Sequence, residues 1–557
     1  MTQQLLNKII SSRANNSDRL NKLKREFARG DKAGMATNAA LLKLAKRYQP
    51  ALSQSTNQRI NSLLIKRKIR TLSGVAPIAV LTKPFPCPGK CAYCPTEKEM
   101  PKSYLSNEPA VMRAVMTKFD PFVQVKTRLN ALANNGHDTD KIELIIMGGT
   151  WSCLPKSYQT NFVKRCFDAC NESTKSEILA VAKPHYGGAR RNPPASTRSN
   201  RGENKSEIRN SKSKNLEEAQ KINETANHRI VAMTMETRPD YVNGKEIKRW
   251  RELGATKVEL GVQIIDDKIL KSNKRGSTVD DIVRATKLFR QAGFKICYHI
   301  MPNLPGATPA VDLNNYKKLF NDSRFQPDFI KIYPTVVTKN SELYKWWRLG
   351  KYKPYSSKQL FKLLTEMKLA TPEYVRIIRL IRDIPEESIV AGNKISNLRQ
   401  SLQAELKKQG RQCRCIRCRE AREDISGINK AKLFIGKYRA SDADEYFLQF
   451  TSPDRAKLFA FLRLRLPNKD EQNFIKEIDG CAMIREVHTY GKMAPLKRTK
   501  NKTIQHGGLG TRLTGEAERI ARQNGFKKIS VIAGVGVRGF YKKLGYEPAG
   551  TYLVKNL

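Results

Sequence analysis

Two neighbouring stretches near the start of the chain decide its fold: Val75-Ala76-Pro77-Ile78-Ala79-Val80-Leu81 and, shortly after it, Cys87-Pro88-Gly89-Lys90-Cys91-Ala92-Tyr93-Cys94. The first is a short apolar run that ends at loop residues, which predicts a β-strand. Helical stretches such as 279–292 separate further runs of this kind. These runs are 142–147, 230–235, 257–262, 295–301 and 329–333. The rhythm predicts repeated βα units, and therefore an α/β fold with a parallel sheet or partial barrel.

The length and composition bound the class of protein. A chain of 557 residues exceeds what one hydrophobic core usually organises, so we expect two or three domains. With 39% hydrophobic and 28% charged residues, the chain should fold as a globular protein. No long apolar run predicts a membrane span, and no export signal begins the sequence. The eleven cysteines are clustered, so we expect a reducing, cytoplasmic compartment in which thiols bind metal or do chemistry.

The charge predicts a polyanionic partner. Lys and Arg number 103 against 52 Asp and Glu, a formal net charge of +51 that favours nucleic acid over a solubility device or a high-salt adaptation. Residues 1–74 read as basic helices that could lie on phosphates or form a solvated face. Residues 186–214 are rich in Ser, Asn, Gly and Arg. They predict a disordered basic insertion, either a loose loop or a further contact to nucleic acid.

Three cysteines spaced C-x3-C-x2-C, namely Cys87, Cys91 and Cys94, follow the first strand. Three thiolates at this spacing can bind three irons of a 4Fe–4S cluster and leave the fourth iron open to S-adenosylmethionine (SAM). A structural zinc site would need a fourth protein ligand, and no other Cys or His lies nearby in the sequence. Tyr93, directly before the third cysteine, and the position at a barrel mouth are typical of radical SAM enzymes.

Several residues at predicted strand ends are weaker candidates. Gly148 and Gly149 end a buried strand and fit the backbone edge that such enzymes offer to the SAM amino group, although a terminal Gly pair is usually a turn. Glu236 and Asp240 follow the next strand, where a role in the site is plausible. His299 lies on an apolar strand, and a satisfied core histidine is the preferred interpretation.

The C-terminal part reads as a second α/β domain with its own binding loop. Gln505-His506-Gly507-Gly508-Leu509-Gly510-Thr511 is a Gly-rich turn before a helix, whose amides can bind an anion. In acyl-CoA transferases this pattern holds the pyrophosphate of coenzyme A. The segment 536–546, with Tyr541, resembles the closing segment of the GNAT acetyltransferase fold, where a tyrosine reaches the thioester. The alternative for Tyr541 is ordinary core packing.

A second cysteine cluster lies where the two predicted domains join. Cys413, Cys415 and Cys418 are spaced C-x-C-x2-C among arginines. This spacing suits a structural zinc ion with a distant fourth ligand, and the alternative is three unligated cysteines on a basic loop. The predicted division is therefore 1–74 basic and helical, 75–395 radical SAM, 396–430 cysteine-rich linker and 431–557 GNAT.

A radical SAM module fused to a GNAT module resembles one family, the catalytic subunit of Elongator with its stand-alone archaeal and bacterial relatives. The likeness covers most of residues 65–557. Beyond the two motifs it includes the segments 70–74, 103–104, 108–114, 119–122, 147–150, 236–240, 260–263, 301–305, 343–344, 382–385 and 485–491. The sequence departs from many relatives at Gly89-Lys90 and Thr96-Glu97, which leaves the local contacts of the SAM loop open.

The resemblance implies an activity, namely forming a carboxymethyl-type group at C5 of the tRNA wobble uridine from acetyl-CoA and SAM. It implies that Cys87, Cys91 and Cys94 bind the cluster, with Gly148, Gly149, Glu236 and Gln263 near SAM. It also implies that Lys141 contacts acetyl-CoA from the radical SAM side. The implied contacts of the GNAT side are Glu486, Val487, His488, Thr489, Gln505, Gly508, Leu509, Gly510, Thr511 and Tyr541.

The implied partners are the tRNA anticodon stem-loop, an external electron donor and either a second copy of the chain or a larger Elongator-like assembly. Two other functions stay open at this point. One is a protein lysine acetyltransferase whose radical SAM half only binds RNA, although the complete cysteine triad argues against it. The other is a non-catalytic tRNA scaffold, which the intact Gln505, Gly508 and Gly510 disfavour.

Overall fold

The structure is a computed structural model that describes residues 2–29, 35–48, 52–65, 71–172, 213–422, 424–491 and 508–557. The predictions made for Gln505 and for most of the basic insertion, residues 186–212, lie outside the described residues. Within those ranges, no helix combines the length and the apolar content that crossing a membrane requires.

The N-terminal region forms four short helices with a core of their own. They are α1 (Thr2–Ser11), α2 (Ser17–Arg29), α3 (Asn38–Tyr48) and α4 (Gln54–Leu64). Each helix carries apolar residues at helical spacing, and these face one another. The Arg59 guanidinium ties α4 to the turn after α1 by donating to the carbonyls of Ile10 and Ala14, both at 2.9 Å.

The middle of the chain forms a seven-stranded sheet in which every neighbouring pair is parallel and the strand order follows the sequence. Its strands are β1 (Ala76–Leu81), β2 (Lys141–Met147), β3 (Arg229–Thr237), β4 (Lys257–Gln263), β5 (Lys295–Ile300), β6 (Phe329–Ile332) and β7 (Arg376–Arg379). Strands β1 and β7 are edges, so the described sheet is an open, partial barrel. Parallel strands need crossover connections, which here are mostly helical.

The crossover helices and the helices after β7 complete this half. They are α5 (Pro109–Met116), α6 (Pro121–Asn134), α7 (Lys156–Asn171), α8 (Leu216–Asn223), α9 (Gly244–Leu253), α10 (Asp267–Ser272), α11 (Val279–Gln291), α12 (Pro309–Asn321), α13 (Glu342–Arg348), α14 (Ser357–Leu369), α15 (Leu398–Lys408) and α16 (Ile416–Arg419). Their apolar faces pack on the sheet, and the strands contribute buried residues such as Ile142, Leu144 and Ile146.

The C-terminal half is a seven-stranded mixed sheet in the order β13-β14-β12-β11-β10-β9-β8. Its elements are β8 (Lys432–Ala440), β9 (Ala443–Thr451), β10 (Leu458–Leu466), β11 (Ala482–Thr489), α17 (Leu509–Gln523), β12 (Lys528–Val531), α18 (Arg538–Lys542), β13 (Glu547–Ala549) and β14 (Tyr552–Asn556). Only the β11–β12 pair is parallel. Helix α17 packs on this sheet to form a second core.

The two halves share apolar core and a buried ionic network. Met483, Ile532 and Tyr552 of the C-terminal half belong to the core of the parallel sheet. Beside them, Arg485 of β11 donates to Asp328, which directly precedes β6, at 2.6 Å. Asp328 and Glu445 of β9 are fully buried, and four arginines surround the two carboxylates. These arginines are Arg290, Arg463, Arg465 and Arg485.

The predicted α/β architecture with a partial barrel is confirmed, and the apolar runs of the sequence coincide with β1 to β6. The short strand β7 and the edge strand β8 were not predicted. Strand β7 has only four residues, and β8 alternates exposed and half-buried positions with charged residues among them. An edge strand of this kind lacks a continuous apolar run, so the spacing of its apolar residues does not distinguish it from a loop.

Candidate active site between the two sheets

One cavity of about 1980 Å³ runs from the parallel sheet into the mixed sheet. Its lining includes the three cysteines of the first motif, the inward-facing residues of β2 to β7, strand β11, and the N-terminal ends of α17 and α18. Residues that lie more than 400 positions apart in the sequence, such as Cys87 and Tyr541, therefore line the same space. A cavity of this size can hold more than one ligand.

The loop that carries the three cysteines is fixed by backbone hydrogen bonds to the barrel. The amide of Ala92 donates to the carbonyl of Asn273 at 3.1 Å, and the carbonyl of Ala92 accepts from the amide of Leu343 at 2.8 Å. The amide of Cys94 donates to the carbonyl of Cys91 at 3.1 Å, which closes a tight turn. Burial raises the pKa of the Cys94 thiol to about 11. The loop thus holds three thiols on the cavity wall.

Two arginines direct positive charge at the central cysteine. Arg238, which follows β3, and Arg275, which follows α10, each place a guanidinium nitrogen 3.7 Å from the sulfur of Cys91. Gly89 leaves room for Arg238, because a Cβ at residue 89 would lie 2.3 Å from a guanidinium nitrogen. Cationic neighbours favour a thiolate, which is the form that binds iron. The sequence motifs did not identify either arginine as part of the site.

The wall beside the cysteines fits a polar cofactor. Gly148 has φ +136°, and a Cβ there would lie 2.0 Å from the hydroxyl of Thr82, so only glycine is accommodated. Gln263 adopts φ +71°, and its buried side-chain oxygen has no hydrogen-bond partner among the residues that the structure describes; the same holds for Nε of Arg275. Buried polar atoms usually have partners. Unpaired atoms on a cavity wall therefore fit a ligand such as SAM, whose amino, carboxylate and ribose groups would satisfy them.

Glu236, at the end of β3, accepts a hydrogen bond from the Tyr104 hydroxyl at 2.8 Å. Burial raises the pKa of Glu236, and the nearby Glu259 raises it further. The Arg382 guanidinium lies over the Tyr104 ring, 5.1 Å from its centroid, and donates to Glu108 at 3.0 Å. This chain of contacts fixes the segment that follows the cysteine loop. Glu236 thus lines the cavity with its carboxyl group paired to a tyrosine, and its contact with SAM stays a prediction.

Among the described residues, the second half of β11 has a strand partner on one side only, and the other side faces the cavity. On one side it pairs with β10 from Met483 to Thr489, with a bulge at Arg485. On the other side it pairs with β12 only from Ala482 to Ile484, so the two parallel strands separate beyond that point. From Arg485 to His488, no strand of the described part of the chain pairs with this side of β11, so an extended amide-containing ligand can pair there. The pantetheine arm of coenzyme A is a ligand of this kind.

Two helix ends close the cavity next to this open edge. Gly508, with φ +71°, directly precedes α17, and Gly510 and Thr511 lie in the first turn of this helix. All three residues line the cavity. The first amides of a helix favour an anion. In α18, Tyr541 is buried and packs against the rings of Phe540 and Tyr546, with centroids 5.0 and 5.7 Å away. Tyr541 is thus both packed and cavity-lining.

Two lysines at the starts of strands of the parallel sheet also line the cavity. Lys141 begins β2 and Lys295 begins β5, and both line the cavity. Burial lowers the pKa of each ammonium group; for Lys295, Glu486 of β11 opposes the effect. Glu486 in turn accepts from Nε of Arg463 at 2.9 Å. The Lys141 side of the parallel sheet and the open edge of β11 therefore meet across one cavity.

The second cysteine cluster is compact. The sulfur atoms of Cys413, Cys415 and Cys418 all lie within 4.8 Å of one another. Neighbouring thiols donate towards Cys415 and lower its pKa, which favours a thiolate. Lys368 of α14 approaches the sulfur of Cys418 at 3.7 Å. In the described part of the chain, no other Cys, His, Asp or Glu completes this group. The three sulfur atoms would supply three of the four ligands of a structural zinc ion, and the fourth is not among the described residues.

Most candidates from the sequence therefore lie in one cavity, namely the first cysteine triad, Gly149, Glu236, Gln263, Lys141, Glu486 to Thr489, Gly508, Gly510, Thr511 and Tyr541. The three sulfur ligands of the Cys413 cluster are not in the lining, although Arg417 between them is, and the Ile416 amide donates to the carbonyl of Val375, directly before β7. The interpretation of His299 was incomplete. His299 is paired with Glu259 at 2.9 Å, yet it lines the cavity and retains 17% of its side-chain exposure.

The open parallel barrel, the cysteine triad and the cofactor-sized cavity define a radical SAM half-barrel. Comparison with known families agrees with this class. Residues 201–312 match the model of the Radical SAM superfamily, and residues 327–408 match that of the Radical_SAM C-terminal domain.

Comparison with individual proteins identifies the family. The chain is 40% identical over 572 residues to a protein of Methanocaldococcus jannaschii named tRNA uridine(34) acetyltransferase, covering 100% of this chain and 97% of the relative. It is 33% identical over 557 residues to Elongator complex protein 3 of Homo sapiens, with 97% and 93% covered. The solved structure of Methanocaldococcus infernus Elp3 with an N-terminal deletion superimposes with a TM-score of 0.70 at 40% identity, covering 87% of this chain and 99% of that one. The chain belongs to the family of Elongator complex protein 3.

Proposed function

We propose that this protein is a tRNA-modifying enzyme that acts on the wobble uridine and forms a carboxymethyl-type group at C5 from acetyl-CoA. The relatives named tRNA uridine(34) acetyltransferase support the substrate, and the radical SAM barrel supports the reaction class. The observation that carries the proposal is the single cavity, lined both by the cysteine triad and by the open edge of β11. Two ligands bound at these places would share one cavity.

Cys87, Cys91 and Cys94 would hold a 4Fe–4S cluster, which supplies the electron that cleaves SAM to a 5′-deoxyadenosyl radical. Arg238 and Arg275 stabilise the thiolate charge at Cys91. Gly148 and Gly149 present backbone groups for the SAM amino group, while Gln263 and Glu236 provide polar contacts on the adjoining strands. The surrounding barrel excludes water from a reactive species.

The mixed sheet would act as a GNAT acetyltransferase domain that binds acetyl-CoA. Residues 486–489 would contact pantetheine, and Gly508 with the first turn of α17, residues Leu509, Gly510 and Thr511, would bind the pyrophosphate. The Tyr541 hydroxyl lies near the thioester, where burial raises its pKa and keeps it a proton donor. Lys141 polarises the acetyl group from the opposite side.

The tRNA would bind through phosphate contacts and release its wobble base into the cavity. Residues 1–74 are the proposed docking region, because their helices carry exposed basic residues around a separate core. A base that reacts inside the cavity must leave the anticodon stack.

The reaction also requires an external electron donor. The Cys413 cluster would hold a structural zinc ion.

The test is analysis of wobble nucleosides by mass spectrometry after incubating anaerobically reconstituted protein with tRNA, SAM and acetyl-CoA. We expect a mass increase at the wobble uridine that requires both co-substrates. Cys91→Ala should abolish the product together with bound iron, whereas Tyr541→Phe should reduce the product and retain iron. Product formation by an iron-free Cys91→Ala protein would refute the radical mechanism.

The metal content separates the two cysteine sites. Cys91→Ala should lower iron and leave zinc unchanged, while Cys413→Ser should lower zinc and leave iron unchanged, as measured by elemental analysis. Acetylation of protein lysines, with no modified uridine and with acetyl-CoA turnover indifferent to tRNA, would favour a lysine acetyltransferase instead.

A further inference from the structure

One wall of the cavity carries no part of the functions assigned above. The cysteine triad, Gly149 and Gln263 occupy the side formed by β1 to β4, and acetyl-CoA is assigned to the space next to β11. The remaining wall, at β5 to β7, carries aromatic and cationic side chains that also line the cavity. These are His299, Lys331, Tyr333 and Arg379.

His299 and Tyr333 form a rigid pair of rings on this wall. Their centroids lie 5.4 Å apart with the planes inclined at 72°, so the edge of one ring meets the face of the other. The amide of Tyr333 donates to the carbonyl of Ile300 at 2.8 Å, which fixes its backbone beside β5. Nε2 of His299 bonds to Glu259, which also accepts from the buried ammonium of Lys331. Both rings are thus held in place without a ligand.

Charged side chains of both signs lie near the Tyr333 ring. Burial raises the pKa of Tyr333, two nearby carboxylates raise it further, and the cations of Lys331 and Arg379 oppose these effects. Lys331 is neutralised by Glu259. Arg379 pairs with Asp383 at 2.6 Å, yet its side chain keeps 44% of its exposure at the end of β7. An exposed guanidinium beside a partly buried aromatic ring is a combination that binds nucleotides, the ring by stacking and the cation by contact with phosphate.

We propose that this wall is the subsite of the flipped wobble uridine, with the base stacked on Tyr333 and a flanking phosphate held by Arg379. The inference rests on the proposed function and deepens it by naming where the nucleoside binds. His299 and Glu259 are positioning residues that keep the Tyr333 ring fixed. A base bound here would share one cavity with SAM and acetyl-CoA, as a reaction between the three components requires.

The experiment compares Tyr333→Phe, which keeps the ring, with Tyr333→Leu, which removes it but keeps apolar bulk. We expect the phenylalanine variant to retain wobble modification within about twofold and the leucine variant to lose about tenfold or more, because stacking of a base on an aromatic ring typically contributes that much. The matched control is Tyr446→Leu on β9, which removes an aromatic ring outside the cavity lining. It should leave the modification unchanged.

A binding measurement makes the test independent of catalysis. The probe is an anticodon stem-loop with 5-fluorouridine at the wobble position, observed by fluorine NMR. Stacking should shift the resonance on binding to the wild type and to Tyr333→Phe, but not on binding to Tyr333→Leu. Arg379→Gln should weaken binding of the stem-loop and reduce the salt slope by about one phosphate contact.

The outcomes separate the subsite from the proposed function. If the wild type forms modified uridine and Tyr333→Leu is equally active with an unchanged fluorine shift, the subsite assignment is wrong. If Tyr333→Leu instead raises the KM for SAM in cleavage assays without tRNA, the ring serves the SAM adenine and the assignment is also wrong. If the wild type forms no modified uridine yet shows the ring-dependent shift, the proposed function fails while the base-binding subsite stands.

Discussion

At the residue scale, Lys141 lines the cavity that lies between the two halves of the molecule. It is the first residue of β2, half-buried at the cavity wall, and burial lowers the pKa of its ammonium group. The lowered value follows from lost hydration, and the neighbouring Arg229 adds to it while Asp140 opposes it. A cation that is poorly solvated before the ligand arrives can interact more strongly with a thioester carbonyl than one exposed to water.

The shifted pKa of Lys141 predicts a pH dependence. Because burial lowers the pKa of Lys141, its positive charge is present below the lowered value and is lost as pH rises through it, earlier than for an ordinary lysine. We expect the KM for acetyl-CoA to rise on the alkaline side at a lower pH in the wild type than in Lys141→Arg, since arginine keeps its charge. Lys141→Ala should have a high KM that varies little with pH. Coincident profiles for the wild type and Lys141→Arg would contradict the assignment.

At the element scale, the segment that carries Tyr541 is packed directly on strand β3 of the other sheet. A Cβ at Gly534 would lie 2.1 Å from the carbonyl oxygen of Val231, so only glycine permits this approach. Glu224, which follows α8, then accepts hydrogen bonds from Arg538 at 3.2 Å and from Lys542 at 3.0 Å on α18. The barrel thus fixes the helix that presents Tyr541 to the cavity.

Gly534→Ala should displace this segment from β3. The added methyl group meets backbone atoms, which yield less readily than side chains, so we expect a loss of about 1–3 kcal/mol in stability and a raised KM for acetyl-CoA. Iron content and tRNA-independent SAM cleavage should be retained. Gly515→Ala in α17 is the matched control, because a Cβ there meets no atom within 4 Å. The measurements are thermal unfolding and acetyl-CoA kinetics, and equal behaviour of the two variants would argue against a fixed joint.

At the scale of the whole molecule, the buried network of Asp328, Glu445 and four arginines joins the two sheets. Three of the arginines lower the pKa of Asp328 far below its usual range, although burial opposes them. Removing one partner of a buried ion pair leaves uncompensated charge, so Asp328→Asn should cost about 3–5 kcal/mol at neutral pH.

The same substitution should change the response to acid. Asp328 has a depressed pKa in the folded state, so its contribution is present above the unfolded pKa of about 3.9 and is lost as pH falls below it. Between neutral pH and strongly acidic pH, the wild type should therefore lose more stability than Asp328→Asn. Denaturant unfolding at a series of pH values measures this difference. Parallel stability curves would show that the carboxylate contributes nothing through its charge.

The net charge of the whole molecule predicts how it binds tRNA. With 103 basic against 52 acidic residues, affinity should fall steeply as salt rises, because each phosphate contact releases a counterion. Deleting residues 1–60 should weaken binding across different tRNA sequences and reduce the slope, since phosphate contacts carry no base code. Filter binding at several salt concentrations tests this. An unchanged affinity and slope would identify the N-terminal helices as a solvated face.

The sequence by itself determined the features that depend on local pattern. The apolar runs predicted β1 to β6, because a buried parallel strand is apolar on both faces. Both cysteine clusters were evident from spacing, since neighbouring ligands must lie close along the chain. The resemblance to a family added Lys141 and Tyr541, which no local pattern distinguishes from a strand lysine and a core tyrosine.

The tertiary structure alone decided which residues meet across the chain. Arg238 and Arg275 contact Cys91 although they lie 147 and 184 positions after it in the sequence. No periodic pattern in the sequence predicts a contact over such a separation. The open edge of β11 exists because β12 separates from it after Ile484, which depends on register. The two sheets share one cavity because buried carboxylates, arginines and close glycine contacts hold the sheets against each other. Such contacts are long-range, and their energies depend on burial that only the assembled fold creates.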